Sequence, residues 1–109
     1  MNYDAAPVQC IANGTTDGNS AGPTTVATGG ILVALGVGTY QITYDPGLPG
    51  DFACAPKAAR IFIQPFNSGV CFQVIKALTS FQVLMTNAET GVPTDTGFDF
   101  IVFKAQNVQ

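Results

Sequence analysis

Hydrophobic positions in this chain recur at every second residue or in short blocks, and residues 39–44 give the clearest case. In this segment the large apolar side chains of Tyr40, Ile42 and Tyr44 alternate with polar ones. Because successive side chains of a strand point to opposite faces, the pattern predicts a strand with one buried face. No segment shows the three-to-four-residue spacing of an amphipathic helix.

Other segments have the length and composition of strands. They are residues 6–12, 24–28, 31–35, 60–66, 70–77, 79–86 and 98–105, with a shorter one at 52–56. We expect the first of these to be an edge strand. We also expect residues 60–66 to lie at a sheet edge or a bulge, because Pro65 has no backbone N–H to donate.

Turn residues separate these segments. Asn13-Gly14 predicts a turn that opens a polar surface loop reaching Gly22, and Asn67-Ser68-Gly69 predicts a hairpin turn. Turn signals recur about every ten residues, a spacing typical of all-β sandwiches, barrels and jelly rolls. The prediction is therefore an all-β fold, an antiparallel β-sandwich or jelly roll.

The length of 109 residues leaves room for one core. We assign residues 1–7 to an N-terminal arm and residues 8–109 to a single domain. The chain begins with its own Met1 and shows no fused stalk, so we expect a free-standing subunit.

Two of the predicted strands carry bulky apolar residues on both faces. In residues 98–105, one face carries Phe98, Phe100 and Val102, and the other carries Ile101 and Phe103. In residues 60–66, one face carries Ile61 and Ile63, and the other carries Phe62 and Phe66. An antiparallel sheet with one solvated face is expected to alternate cleanly between apolar and polar residues. A second buried surface is therefore indicated.

The charge content supports the same conclusion. Only 10% of the residues are charged, against about 25% in a typical soluble domain. Either copies of the chain bury this surface, which predicts a homo-oligomer, or the opposing sheet and long loops cover both faces within one chain. We favour contact between copies and select as subunit-interface candidates Ile61, Ile63, Phe66, Ile101 and Phe103.

The side chains of an ordinary enzyme are missing from the sequence. It contains no histidine, the usual general base and the commonest ligand of transition metals. Asp95 and Asp99 are either a carboxylate pair or, as we prefer, solvated loop acids. No catalytic, cofactor-binding or metal-binding residue is predicted, and the chain is not expected to be an enzyme.

The three cysteines, Cys10, Cys54 and Cys71, are far apart in sequence. They are interpreted as buried free thiols of a protein made in a reducing compartment, although one disulfide with one free thiol remains open for an extracellular particle.

The charge balance also limits the partners. The net charge is −3, and the four basic residues Lys57, Arg60, Lys76 and Lys104 are scattered. Nucleic acid and anionic membranes, which need clustered cations, are therefore not expected as partners. The N-terminus lacks the pattern of a secretory signal, and no apolar run approaches the length of ~20 residues that crosses a bilayer. Synthesis in a host cytoplasm is expected.

Two runs resemble compact trimeric jelly rolls of the complement and tumour-necrosis-factor-like kind. The run Gly38-Thr39-Tyr40-Gln41-Ile42-Thr43-Tyr44 resembles their Gly-x-Tyr-x-Val-Thr-Phe strand. Their C-terminal pattern Gly-x-Pro-x-Asp-x-x-Phe-x-x-x-Val is similar to the positions Gly91, Pro93, Asp95, Phe98 and Val102. The resemblance covers most of the chain, but residues 60–77 depart from it and its frequent C-terminal cysteine is missing.

The resemblance implies a homotrimer and structural roles for these motif residues. Gly38 is expected to ease the start of its strand, Tyr40 and Ile42 to pack in the core, Gly91 and Pro93 to shape a loop, and Asp95 to cap a turn. In function it implies a capsid decoration (cement) protein of a tailed phage. Such a protein lies on the capsid exterior and binds the major capsid protein or other virion subunits. The alternative is the receptor- or glycan-binding head of a phage fibre, with sugar-stacking aromatics supplied by Tyr3, Phe52 or Phe66.

Overall fold

The computed structural model describes residues 8–45, 59–77 and 79–105, which form an all-β fold without a helix. The strands are β1 (Val8–Thr16), β2 (Thr25–Thr28), β3 (Gly30–Gly36), β4 (Thr39–Tyr44), β5 (Ala59–Pro65), β6 (Val70–Lys76), β7 (Ser80–Asn87) and β8 (Phe98–Ala105). Within these ranges, no helix has the length and hydrophobicity needed to traverse a bilayer. The predicted arm of residues 1–7 and the predicted strand at 52–56 lie outside the described residues.

The strands form two four-stranded antiparallel sheets that pack face to face as a sandwich. Sheet I has the order β2-β1-β8-β5, and sheet II has the order β3-β4-β7-β6. The two central pairs, β1 with β8 and β4 with β7, join strands that are distant in sequence. The chain must therefore cross repeatedly between the sheets, and its connections gather at the two ends of the sandwich.

The core lies between the two sheets and follows the alternation of each strand. Its largest fully buried hydrophobic side chains come from the inner faces of three strands and are Tyr40, Ile42, Phe81, Val83, Met85, Phe98, Phe100 and Val102. Rings meet across the interior, with centroids 5.3 Å apart for Tyr40 and Phe98 and 6.1 Å apart for Phe81 and Phe100, both edge to face. Such aromatic pairs add to the stability that apolar burial supplies. The all-β sandwich predicted from the period-two pattern is confirmed.

Strand β1 differs from its prediction in length. Asn13 and Gly14 do not form a turn; they continue the strand and pair with both β2 and β8. A Cβ on Gly14 would lie 2.8 Å from the Cβ of Ala27, so the glycine serves close strand contact rather than a reversal. β2 pairs only with residues 13–16, so β1 is an interior strand there, whereas residues 8–12 pair with β8 alone, in agreement with the edge position predicted for residues 6–12.

The segment Asn67-Ser68-Gly69 does not join a hairpin, because β5 and β6 belong to different sheets. Its neighbours bond to other loops instead: Phe66 N–H donates to the carbonyl of Gly97, and Ala88 N–H donates to the carbonyl of Gly69. The predicted edge position of the strand that contains Pro65 is confirmed, since β5 ends sheet I.

The turn between β3 and β4 requires a glycine at position 38. Gly38 has φ +72°, and a Cβ there would lie 2.5 Å from the carbonyl oxygen of Met85 and 2.8 Å from the nitrogen of Thr94. The left-handed conformation and the lack of space both exclude a side chain. The glycine thus lets this turn press against the backbone of the loop before β8.

Replacing Gly38 by alanine is expected to lower the free energy of unfolding by at least about 2 kcal/mol, because the new Cβ adds backbone strain and a clash with backbone atoms. Urea titration followed by circular dichroism measures the loss. Gly22→Ala is the matched control, since a Cβ there meets nothing within 4 Å. A Gly38→Ala protein as stable as this control would show that the turn can rearrange freely.

Candidate interaction surface

One carboxylate connects three segments at one end of the sandwich. Asp95 Oδ2 accepts hydrogen bonds from the backbone N–H of Ser20 at 3.0 Å and from its hydroxyl at 2.7 Å. Asp95 Oδ1 accepts the N–H of Gly38 at 2.9 Å. The loop after β1, the turn before β4 and the loop before β8 are therefore held by the two oxygens of one side chain. We call Ser20, Gly38, Tyr40 and Asp95 the Asp95 cluster.

Tyr40 brings the core into this cluster. Its ring is fully buried, while its hydroxyl donates to the carbonyl of Gly18 at 2.6 Å and accepts the N–H of Thr96 at 3.3 Å. The hydroxyl also lies 3.3 Å from Asp95 Oδ1, a longer contact that competes for the same single proton. The pKa of Tyr40 is raised to about 12, mainly by burial. The hydrogen bond from the Thr96 N–H lowers this pKa, whereas the negative charge of Asp95 raises it further. Tyr40 therefore remains a proton donor at neutral pH.

The Asp95 carboxylate is stabilised in its charged form. Partial desolvation alone would raise its pKa, but the hydrogen bonds from Ser20, Gly38 and Tyr40 outweigh it and leave the pKa below the ordinary value of 3.8. The sequence predicts that Asp95 caps a turn, and in the structure it accepts a hydrogen bond from the N–H of Gly38 in the turn between β3 and β4. Close by, Gly91 adopts φ +72° and Pro93 forms an isolated bridge with Thr86, so both help to shape the loop before β8.

The cluster has the properties of a structural element rather than of a reactive centre. Its hydroxyl and carboxylate groups are hydrogen-bonded to one another or to backbone, and no imidazole exists in the chain to activate them. Among the described residues, no three His, Cys, Asp or Glu side chains gather in a way that would hold a metal ion. Asp99 lies on β8, outside the hydrogen bonds that surround Asp95.

The outer face of sheet I offers a different kind of site, because large apolar side chains are exposed on it among polar ones. Phe62 is 59% exposed and Ile101 40% exposed, and the two stand opposite each other on β5 and β8. Phe103 meets Phe62 edge to face, with ring centroids 5.7 Å apart. We call Val26, Phe62, Ile101 and Phe103 the apolar face. A shallow depression of about 550 Å³ lies on this face and is lined by residues of β1, β2 and β8 that include Val26, Ile101 and Phe103.

The structure separates the five interface candidates into two groups. Ile101 and Phe103 lie on the apolar face, and Phe66 is exposed just after β5. Ile61 and Ile63 do not lie there; they point inward and pack against the core. They therefore leave the candidate set, and Phe62, on the opposite side of the same strand, replaces them.

The signal that identifies the outer side of β5 is present in the sequence. Arg60 and Gln64 share a face with Phe62 by the period of two, and both are exposed. Ile61 and Ile63 have no polar residue on their side of the strand. The polar flanks thus mark the solvent side even where both faces contain large apolar residues.

The cysteine prediction is corrected in one respect. Cys10 and Cys71 are free thiols, but both are exposed rather than buried. Cys10 lies opposite Phe103 beside the apolar face, and Cys71 lies on β6 in sheet II. Cys54 lies outside the described residues.

Comparison with known proteins gives no assignment: no protein-family model, no curated protein and no solved structure matches this chain.

Asp95→Asn is expected to lower the free energy of unfolding at pH 7 by about 1–2 kcal/mol, because charge-assisted hydrogen bonds become neutral or unsatisfied. The folded-state pKa of Asp95 is depressed, so its stabilisation is present above the unfolded value of 3.8 and is lost as the pH falls through the lower folded value. The difference between the two proteins should therefore shrink in acid. Urea unfolding between pH 7 and pH 2.5 measures it.

Asp99→Asn serves as the matched control, since Asp99 is exposed on the outer side of β8. Its stability should follow that of the unmodified chain at every pH. A constant difference between Asp95→Asn and the unmodified chain down to the lowest pH would contradict the role assigned to the charge.

Proposed function

We propose that this protein is a structural virion component, a homotrimeric decoration (cement) protein that stabilises the capsid exterior of a tailed phage. The observation that carries the proposal is the apolar face, where large side chains remain exposed on a chain with few charges. Phe62, Ile101 and Phe103 are neighbours on this face, and an exposed apolar cluster rimmed by polar residues is typical of an interaction site. The proposed partners are two further copies of the chain and the major capsid protein or other virion subunits.

The strand order supports a jelly roll as the finer description of the sandwich. The chain crosses between the sheets after β2, β4, β5 and β7, while β1 pairs with β8 and β4 pairs with β7. Strand pairs that nest in this manner and alternate between two packed sheets are typical of jelly rolls. The three-fold state comes from the resemblance of the two motif runs, and the jelly-roll order is compatible with it.

The proposed mechanism is mechanical. Three copies bury their apolar faces against each other, and the trimer then spans neighbouring shell subunits and resists their separation. Each Å² of apolar surface removed from water contributes about 25 cal/mol before the costs of association are subtracted. The absence of histidine from the sequence is consistent with a function that needs no proton transfer near neutral pH.

Ile101→Lys is expected to reduce the mass in solution to one third, because a charge placed in the centre of the three-fold contact must be buried without a partner. Light scattering after size exclusion measures the mass. Ile75→Lys is the control: Ile75 has a similar exposure of 45%, but it lies on β6 in sheet II. The unmodified chain and this control should also add to purified phage capsids as three-fold densities visible by electron cryo-microscopy, whereas Ile101→Lys should not.

Two results would contradict the proposal. The first is an unmodified chain that remains monomeric at high concentration. The second is a set of capsids that keep their composition and their resistance to expansion when the chain is removed. Circular dichroism of each variant separates a lost contact from a lost fold.

A receptor- or glycan-binding fibre head is the second candidate, and one observation favours it. Among the three aromatics expected to stack on sugars, Phe66 is 60% exposed, whereas Tyr3 and Phe52 lie outside the described residues. A glycan array tests this alternative: selective binding that disappears in Phe66→Ala would favour the fibre head. Equal and unselective signals from both proteins would remove it.

A further inference from the structure

Among the described strands, β3 has an unpaired edge, and it carries no residue that would discourage another strand from pairing with it. It ends sheet II on the side opposite β6. Its seven residues, Gly-Ile-Leu-Val-Ala-Leu-Gly, include no charge, no proline and no polar side chain. The outward side chains of Ile31, Val33 and Leu35 are 44–66% exposed. An edge strand leaves backbone N–H and C=O groups unpaired, so an apolar edge of this length is a template for a further strand.

The other three edges of the sandwich are guarded. Strand β2 is only four residues long, β5 carries Arg60 and Pro65, and β6 carries Gln73 and ends at Lys76. Short length, charge and proline are the usual devices against pairing between edges. β3 has a single irregularity, a bulge between Ala34 and Gly36. The bulge twists the end of the strand and leaves residues 30–34 in regular register with β4.

The residues of β3 are arranged symmetrically about Val33. Gly30 corresponds to Gly36, Ile31 to Leu35, and Leu32 to Ala34. A contact across a two-fold axis must fit its own copy, because the same patch supplies both sides. In an antiparallel pair centred on Val33, each residue would face an apolar residue or a glycine, with the larger Leu32 opposite the smaller Ala34, and the three central pairs would fall within the regular part of the strand.

We propose that β3 pairs antiparallel with β3 of a second copy, about a two-fold axis at Val33, so that two sandwiches share one continuous eight-stranded sheet. The occupant of the edge is thus the chain itself. A groove of about 260 Å³ lined by residues of β2 and β3 runs beside the start of the strand. This contact lies in sheet II, whereas the proposed three-fold contact lies on sheet I. The inference therefore does not depend on the proposed function.

Disulfide trapping tests the pairing directly. Val33→Cys in a background with Cys10, Cys54 and Cys71 changed to serine places two thiols opposite each other, at the Cα separation of about 4.5–5.5 Å found in antiparallel pairs. Mild oxidation should convert most of the protein to a covalent dimer. Gln73→Cys in the same background is the control, since Gln73 is exposed on the opposite edge strand. Equal cross-linking of the two variants would mean random collision and would overturn the proposal.

Solution mass separates this inference from the proposed trimer. Val33→Lys should halve the mass of the unmodified assembly, while Ile101→Lys should reduce it to one third, and Gln73→Lys should leave it unchanged. The N–H groups of Leu32 and Ala34 face the open edge, because those of Ile31 and Val33 face β4 in the register that places Asp45 N–H on the carbonyl of Gly29. Amide hydrogen exchange should therefore be slow at Leu32 and Ala34 in the unmodified protein and at least tenfold faster in Val33→Lys. If the unmodified protein is a dimer and Val33→Lys dissociates it, the two-fold contact is supported even in the absence of a trimer. A trimer whose mass Val33→Lys does not change overturns it.

Discussion

The two carboxylate oxygens of Asp95 hold three connections together at one end of the sandwich. They accept hydrogen bonds from Ser20 in one loop and from Gly38 in another, and one of them lies beside the hydroxyl of the buried Tyr40. Ser20 and Asp95 are 75 positions apart in the chain, so this contact closes a long loop and carries the entropic cost of doing so. The contact holds the β1–β2 loop and the β3–β4 turn, each of which stays within one sheet, to the loop in which the chain crosses from β7 to β8. The backbone around it approaches so closely that Gly18 and Gly38, both with positive φ, leave no space for a Cβ.

The core accounts for only part of the chain's apolar content. Inward residues such as Phe81 and Phe100 are fully buried, and yet Phe62 and Ile101 on sheet I and Ile31 on sheet II remain exposed. Within the described residues, the opposing sheet covers only the inner faces and leaves these side chains exposed. Both proposed contacts draw on this exposed apolar surface: sheet I supplies a face and sheet II supplies an edge.

Local patterns in the sequence predict the strands well, but they do not predict which strands pair with each other. The strands at residues 39–44 and 98–105 have the predicted bounds, because alternation is a property of consecutive residues. Asn13-Gly14 was predicted as a turn on local grounds, but Ala27 and Phe100, which face Gly14 in the two neighbouring strands, are distant in sequence. The same limit applies to Asp95: its turn-capping chemistry is recognisable from residue type, whereas its partners Ser20 and Gly38 become neighbours only through the order of the sheets. For β5, the polar residues Arg60 and Gln64 carried enough information to place Phe62 outside.

The two proposed contacts differ in the interaction that would form them, and this difference assigns them different tasks. The apolar face on sheet I associates through side-chain burial, which is strong but weakly directional. The β3 edge associates through backbone hydrogen bonds, whose geometry fixes the direction and register of the two strands. Burial on sheet I would therefore supply most of the affinity, and the edge of sheet II would set the orientation of one assembly relative to the next. Because the two surfaces belong to opposite sheets, the proposed three-fold and two-fold contacts are compatible within one chain.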